Sequence, residues 1–355
     1  MPHNDLRQEF ALVSSSPLPR WRASGWLEAG LWATCRRLAG ALLLLATLDA
    51  AGAATAAALT IAVAKTPLSL PLYVAQSQGY FDAEGVQVKL VDVVGGKLAM
   101  DRLLLGEADL ATSSETVVMF SSFQGREFAL LASFVTSSED VRLIGAKTVD
   151  PARPLQMRGK RIGMVPASAS QYYLDSWLLL QGIDPNEVTR VSLAPDAMES
   201  ALARGEVDAV VTWEPFGYRT LRAVPQAKAF PNMGSYTLSF NLLVGSRHLG
   251  RRDAELGKIL RALERAEQFI RAQPQQAQAL LRLRLELDPP FIDWIWPRTH
   301  YQLSLNQSLL YTLESEARWA RQEGHVKAER SPNYLDFIYP GPLRSAVPGA
   351  AGFGN

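Results

Sequence analysis

Short apolar runs alternate with helical patterns from Leu59 onward, and this alternation constrains the fold more than any other feature of the chain. Residues 59–64 and 86–91 have the pattern of strands, and residues 71–79 between them have the pattern of a helix that ends at a glycine. Strands that alternate with helices form mostly parallel sheets flanked by helices. The sequence therefore predicts an α/β protein.

The same alternation starts again after a proline-containing linker at residues 150–154. Before the linker we predict a helix at 98–105, a strand at 108–111 and a helix from Ser114. After the linker we predict strands at 161–165, 188–193 and 207–211, with helices at 171–181 and from Asp196. The repetition indicates two α/β lobes.

Beyond residue 244 the pattern changes to long helices with little strand between them. The helical patterns cover residues 255–272, 274–285 and 301–322. We expect this segment to pack back on the first lobe, with strand crossovers between the lobes. Lobe I would comprise residues 59–148 and 245–345, lobe II residues 149–244, and residues 346–355 would form a tail.

Residues 1–58 have the features of a secretory presequence. Arg36 and Arg37 precede the apolar run 38–48, which is too short to span a bilayer, and small residues follow it. A buried helix of the folded domain is the alternative interpretation. Because Cys35 lies before the apolar run, it cannot carry a lipid after cleavage. We expect a periplasmic protein that is secreted through this signal and not lipid-anchored.

Composition excludes several classes of function. The chain has 36 basic and 35 acidic residues without a charged block, so nucleic acid is not an expected partner. Cys35 is the only cysteine, so a chain that starts near Leu59 has no thiol chemistry. The spacing of His248, His300 and His325 fits no metal site. We expect neither a metal nor a cofactor.

Polar residues follow three of the predicted strands, where an open parallel sheet binds its ligands. They are the segments 112–115, 166–171 and 212–215. Each segment leads into a predicted helix, whose first turn offers free N–H groups and the positive end of a dipole. Plain helix capping explains any one of these segments, but several of them on facing lobes favour a binding cleft for a small ligand.

Individual side chains add chemistry to this cleft. The hydroxyls of Ser168 and Ser170 can donate to an oxyanion, and Lys65 can supply a counter-charge. Trp213 can stack on a ligand, and Glu214 can accept a hydrogen bond from an amine. For each of them an ordinary structural role is the alternative: a cap, a solvated rim residue, core packing or a favourable charge in a first helical turn. Residues 95–97, Gly-Gly-Lys, indicate another close backbone approach.

The sequence carries none of the common catalytic or nucleotide-binding motifs. It lacks Gly-x-Ser-x-Gly, the Walker loop, Gly-x-Gly-x-x-Gly, Cys-x-x-Cys and His-Glu-x-x-His. We therefore expect a binding protein and not an enzyme.

Several segments, taken in order, resemble the family of ABC-importer receptors for sulfonates, nitrate, taurine and thiamine-precursor pyrimidines. Residues 71–86 are similar to its pattern P-x-x-x-A-x-x-x-G-x-F-x-x-x-G-[LV], and residues 106–111 to its G-E-A-D-x-[GA]. The segments 158–163, 201–209, 213–215 and 333–337 match further elements. The resemblance extends over residues 59–343.

The resemblance implies a type II periplasmic-binding-protein fold, with two α/β lobes joined by a hinge and a helical C-terminal segment. It also implies closure on a small-molecule ligand, permease and ATPase partners, and a monomer. The implied ligand-binding positions are Lys65, Leu70, Ser113, Ser114, Ser168, Ser170, Trp213 and Glu214. The chain departs from the family at residues 166–168, where Pro-Ala-Ser stands in place of the common Gly-Ser pair.

Three functions remain open at this point. The first is a receptor for a small oxyanion such as an alkanesulfonate, taurine or nitrate. The second is a receptor for an aromatic or pyrimidine-type ligand, motivated by Trp213 beside Glu214. The third is an enzyme of the pyrimidine-synthase branch, whose cysteine-rich motif this chain lacks.

Overall fold

The computed structural model describes residues 57–232 and 236–352. The predicted presequence lies outside the described residues, apart from its last two positions. Eleven strands within the described ranges form two sheets. They are β1 (Leu59–Ala64), β2 (Val88–Val93), β3 (Leu110–Ser114), β4 (Phe128–Ser137), β5 (Val141–Gly145), β6 (Arg161–Met164), β7 (Thr189–Ser192), β8 (Ala209–Trp213), β9 (Lys228–Ala229), β10 (Leu238–Gly245) and β11 (Thr299–Ser304).

Twelve α-helices of the same ranges connect and cover these strands. They are α1 (Leu70–Ser77), α2 (Tyr80–Ala83), α3 (Gly95–Leu104), α4 (Glu115–Ser122), α5 (Ala169–Leu180), α6 (Met198–Ala203), α7 (Phe216–Ala223), α8 (Asp253–Ala272), α9 (Pro274–Leu285), α10 (Pro289–Ile295), α11 (Gln307–Gln322) and α12 (Gly341–Ala346). None of the helices in the described residues combines the length and the apolar character that a membrane span requires.

The two sheets repeat one arrangement of strands. The first has the order β2-β1-β3-β10-β4-β11, and the second has the order β7-β6-β8-β5-β9. In each sheet three parallel strands are followed by an antiparallel one, β10 beside β3 and β5 beside β8. The central strand β1 is almost wholly apolar and buried, as expected of a parallel strand covered on both faces. The predicted two α/β lobes correspond to these sheets.

The antiparallel strands show where the chain crosses between the sheets. β4 belongs to the first sheet and β5 to the second, so the first crossover is the segment 138–140. The second crossover lies between β9 and β10. The lobe boundaries predicted from the sequence, at residues 148 and 244, lie further along the chain than these crossovers. We propose that lobe I is the part built on the first sheet and lobe II the part between the crossovers.

Sequence patterning did not identify every element. The strands β4 and β5 were not predicted. β4 begins with the apolar run 128–132, which lacks the alternation of a half-buried strand. The helix expected over 301–322 is a strand followed by a helix. β11 pairs with β4 at the edge of the first sheet, and Asn306 starts α11 by accepting a hydrogen bond from Ser308 N–H at 3.1 Å.

The C-terminal helices contact helices that flank the first sheet. Helix α8 contacts α1 and α2, and helix α11 contacts α4. The contact between α11 and α4 includes a buried hydrogen bond from the Thr116 hydroxyl to the carboxyl of Glu316 at 2.8 Å. The long helices therefore support the helix N-terminus that reaches the cleft.

Candidate functional site

A small cavity of about 30 Å³ lies between the two sheets. Its walls come from both lobes and from the first crossover. They are formed by Thr66, Leu68, Gly96, Lys97, Ser114, Val117, Asp140, Ser168, Ala169, Trp213, Leu238 and Phe240. The walls combine apolar side chains with a few polar groups, which is typical of small-ligand sites.

Three helices begin at this cavity. α3 contributes Gly96 and Lys97, α4 contributes Val117 together with its cap Ser114, and α5 contributes Ala169 with its cap Ser168. The first N–H groups of a helix have no partner within the helix, and the dipole makes this end positive. Since α3 and α4 belong to lobe I and α5 to lobe II, the positive ends reach the cavity from both sides. The arrangement favours an anionic group on the ligand.

Two glycines allow helix α3 to approach its neighbours closely. A Cβ atom at Gly96 would lie 2.8 Å from Ser113 Oγ and 3.0 Å from Ser113 Cα. A Cβ atom at Gly95, whose φ is +83°, would lie 3.0 Å from Cζ2 of Trp213. The close backbone approach predicted for residues 95–97 is confirmed, and it brings lobe I against the indole of lobe II.

Three of the predicted binding residues line the cavity. Ser114, Ser168 and Trp213 are all buried there. The Nε1 atom of Trp213 is buried without a hydrogen-bond partner in the described structure. The hydroxyl of Ser168 donates to the carbonyl of Val165 at 2.8 Å and accepts from Ser170 N–H at 3.2 Å. These bonds fix the start of α5 at the cavity wall.

Three other predicted residues lie behind the wall. The Ser113 hydroxyl donates to the carbonyl of Gly96 at 2.9 Å, and the Ser170 hydroxyl accepts from Val165 N–H at 2.9 Å. Both serines therefore position the loops and do not line the cavity. Leu70 is fully buried, and its backbone N–H donates to the carbonyl of Pro67 in a 3-10 turn. This N–H is therefore used inside the turn.

Glu214 also lies behind the cavity wall. Its Oε2 accepts from Tyr218 N–H at 2.9 Å in the first turn of α7, and its Oε1 lies 3.4 Å from Nε of Arg142. Burial raises the pKa of this carboxyl to about 7. These contacts correspond to the structural alternative given for Glu214, a charge at a helix start.

Lys65 is exposed and does not line the cavity. Among the residues that do line it, the cation is Lys97, whose Nζ lies 2.9 Å from a carboxylate oxygen of Asp101 one turn further along α3. The cavity is thus lined by Lys97 and not by Lys65. The sequence drew attention to residues 95–97 only for their glycines.

Asp140 is a polar residue of this site that the sequence did not indicate. It lies in the first crossover, is 1% exposed and lines the cavity. Neither carboxyl oxygen has a hydrogen-bond partner in the described structure. Burial, followed by the nearby charge of Glu214, raises the pKa of Asp140 well above its usual range. Because β4 and β5 were not predicted, the crossover between them could not be located from the sequence.

Comparison with known proteins gives a consistent picture of family and fold. The family model described as "NMT1/THI5 like" matches residues 66–277. The taurine-binding periplasmic protein of Escherichia coli (strain K12) is 33% identical over 163 residues, which are 45% of this chain and 50% of that protein. The matched region thus spans about half the length of that curated relative.

Solved structures resemble the chain over most of its length. The alkanesulfonate-binding protein SsuA from Xanthomonas axonopodis pv. citri, bound to MOPS, has a TM-score of 0.72 at 17% identity and covers 81% of this chain and 100% of its own. The periplasmic aliphatic sulphonate binding protein SsuA from Escherichia coli has a TM-score of 0.69 at 17% identity, with coverage of 80% and 92%. At this identity the likeness concerns the fold, and the predicted periplasmic-binding-protein fold is confirmed.

Proposed function

The chain belongs to the NMT1/THI5-like family, and on that premise we propose that it is the periplasmic receptor of an ABC importer for a small oxyanion. Alkanesulfonates, taurine and nitrate are the ligands of this class. The observation that carries the proposal is the meeting of three helix N-termini, from both lobes, at one cavity. The relatedness to the taurine-binding protein supports the same ligand class.

The proposed mechanism is capture by closure of the two lobes. The anionic group of the ligand would lie at the starts of α3, α4 and α5, near the side chains of Lys97, Ser114 and Ser168. Trp213 would donate its unpartnered N–H to the same group. The ligand stabilises the closed form only through contacts that the open form lacks. A membrane permease with its ATPase would take up the ligand from the closed form, and the receptor would act as a monomer.

The geometry around Trp213 does not support the aromatic-ligand alternative. The ring contacts the backbone of Gly95 on the opposite lobe, and Phe216 packs against it edge-on, with the ring centroids 6.4 Å apart. Stacking on a ligand would require displacement of one of these neighbours. We therefore propose that Trp213 contributes a wall and a donor and is not a stacking platform.

We also propose that the protein does not transform its ligand. No group of three or more His, Cys, Asp or Glu residues suited to a metal ion occurs in the described ranges 57–232 and 236–352. Among the polar groups at the cavity, the hydroxyls of Ser114 and Ser168 cap the starts of α4 and α5. If mass spectrometry recovered a modified ligand after incubation with the protein, the enzyme alternative would replace this reading.

The test is isothermal calorimetry of the purified protein with propane-1-sulfonate, taurine and nitrate. We expect at least one of them to bind with a Kd in the micromolar range or below. Lys97→Met should weaken that binding more than Lys65→Met, because only Lys97 lines the cavity. A folded protein that binds none of the three ligands would overturn the proposed function.

A further inference from the structure

The first crossover places a carboxyl in a cavity that otherwise suits an anion. Asp140 is 1% exposed, lines the cavity and has no hydrogen-bond partner at either oxygen in the described structure. A buried carboxyl that is neither ion-paired nor hydrogen-bonded reduces the stability of the folded state. The cost is on the order of several kcal/mol. Contact with a bound ligand would explain why the protein has a carboxyl at this position in spite of the cost.

The cationic side chain nearest to Asp140 in the sequence, Arg142, contacts other residues. Arg142 lies 3.4 Å from Glu214 and 3.6 Å from Glu139, and its guanidinium stacks on the ring of Trp294 with 3.8 Å to the centroid. Within the described ranges, neither Arg142 nor any other cationic side chain forms an ion pair with Asp140 within 4.0 Å. The crossover therefore presents one carboxyl to the cavity without a protein counter-ion.

We propose that Asp140 selects for a cationic group on the ligand, so that the cavity takes a zwitterion with its oxyanion at the helix starts and its ammonium group against Asp140. This inference rests on the proposed function and names a narrower ligand class within it. An ammonium group supplies three donors for the two carboxyl oxygens. A plain alkanesulfonate of the same size would leave both oxygens unpaired.

The protonation state of Asp140 gives a second way to detect its contact with an ammonium group. Four other titratable groups affect Asp140 or are affected by it: Glu214, Arg142, Glu115 and Tyr301. Burial and Glu214 raise the pKa of Asp140, whereas an ammonium group in contact with it would lower this pKa. Binding of the zwitterion would therefore release a proton from Asp140 to the buffer. Binding of a plain sulfonate would leave this proton in place.

The experiment compares taurine with propane-1-sulfonate, in which a methyl group replaces the ammonium group. Calorimetry in two buffers of different ionisation enthalpy measures both affinity and proton release. We expect at least tenfold tighter binding of taurine, because a hydrogen bond to a charged group contributes about 1.5–3 kcal/mol. Asp140→Asn should bring the two affinities within about threefold and abolish the proton release linked to taurine.

A neighbouring carboxylate provides the control. Glu139→Gln changes the same segment at a position that does not line the cavity, so it should keep the preference for taurine. Thermal unfolding establishes that each variant is folded. Equal binding of taurine and propane-1-sulfonate, or a preference that survives Asp140→Asn, would refute this inference while the oxyanion receptor stands. If no sulfonate and no nitrate bound, both proposals would fail together.

Discussion

The indole of Trp213 packs against the backbone of Gly95, with Cζ2 only 3.0 Å from where a Cβ atom of residue 95 would lie. Trp213 ends β8 of the second sheet, and Gly95 begins α3 of the first. The absence of a side chain at Gly95 thus allows the lobes to approach each other at the cavity. Four predictions follow from this and related contacts.

Gly95→Ala should impair ligand binding. The new methyl group would meet Trp213, and the left-handed backbone at φ +83° would be strained as well. Gly79→Ala is a matched control, since Gly79 has φ +66° and nothing within 4 Å of its Cβ position. Both variants should lose stability, but only Gly95→Ala should lose about tenfold or more in affinity for the sulfonate. Equal affinities of the two variants in calorimetry would refute a role for this contact in closure.

His325→Ala should weaken ligand binding by roughly tenfold. Nε2 of His325 lies 3.0 Å from Oδ2 of Asp175, and Nδ1 lies 3.2 Å from Nε2 of Gln171. His325 follows α11 of lobe I, and both partners belong to α5 of lobe II, so the variant removes two contacts between the lobes. Each hydrogen bond contributes about 1 kcal/mol.

The control for this contact is His300→Ala, which changes an exposed histidine of β11. Calorimetry should find an unchanged affinity for His300→Ala. The radius of gyration from X-ray scattering should decrease on ligand binding in both variants, with a higher ligand concentration needed for His325→Ala. The same affinity in His325→Ala as in the unaltered protein would contradict a role for this contact in ligand binding.

Glu214→Gln should reduce the dependence of stability on pH. Burial raises the pKa of Glu214 from 4.5 to about 7. An acid with a raised pKa in the folded state favours folding below its unfolded pKa, and this contribution is lost as pH rises through the folded value. The free energy of unfolding should therefore fall between pH 4.5 and pH 7, and the variant should remove up to about 3 kcal/mol of this fall.

Urea unfolding at several pH values measures this effect. The glutamine can still accept a hydrogen bond from Tyr218 N–H, so the local structure should persist. Glu206→Gln is the control, because Glu206 is fully exposed and Arg204 lowers its pKa by a hydrogen bond. If the stability of Glu214→Gln fell with pH as steeply as that of the unaltered protein, Glu214 would not be the titrating group.

Ala167→Gly should stabilise the protein by about 1 kcal/mol. Ala167 has φ +51° in the loop before α5, a conformation that costs a residue with a Cβ atom about 1–2 kcal/mol. Ala279→Gly makes the same change at an exposed position inside helix α9, where it should destabilise by about 1 kcal/mol. Opposite shifts in Tm are expected. A lower Tm for both variants would show that strain at residue 167 is absent.

Ala167 also lies where the sequence departs from the family pattern, at residues 166–168. The family commonly has a Gly-Ser pair where this chain has Pro166, Ala167 and Ser168. Ala167 has the left-handed backbone that a glycine would adopt at no cost. The helix start at Ser168 is nevertheless formed, since its hydroxyl accepts from Ser170 N–H.

Local patterning determined much of this protein. The alternation of strands and helices, the glycines that end helices and the polar residues after strands depend on neighbours in the sequence, so they predicted both lobes and the positions of Ser114, Ser168 and Trp213. Tertiary structure decided the rest. Asp140 lies in the cavity only because β4 and β5 pair in different sheets, and Gly95 faces Trp213 only because the two sheets meet there. Such contacts join distant segments, and the pairing of strands that creates them is not encoded in any local period.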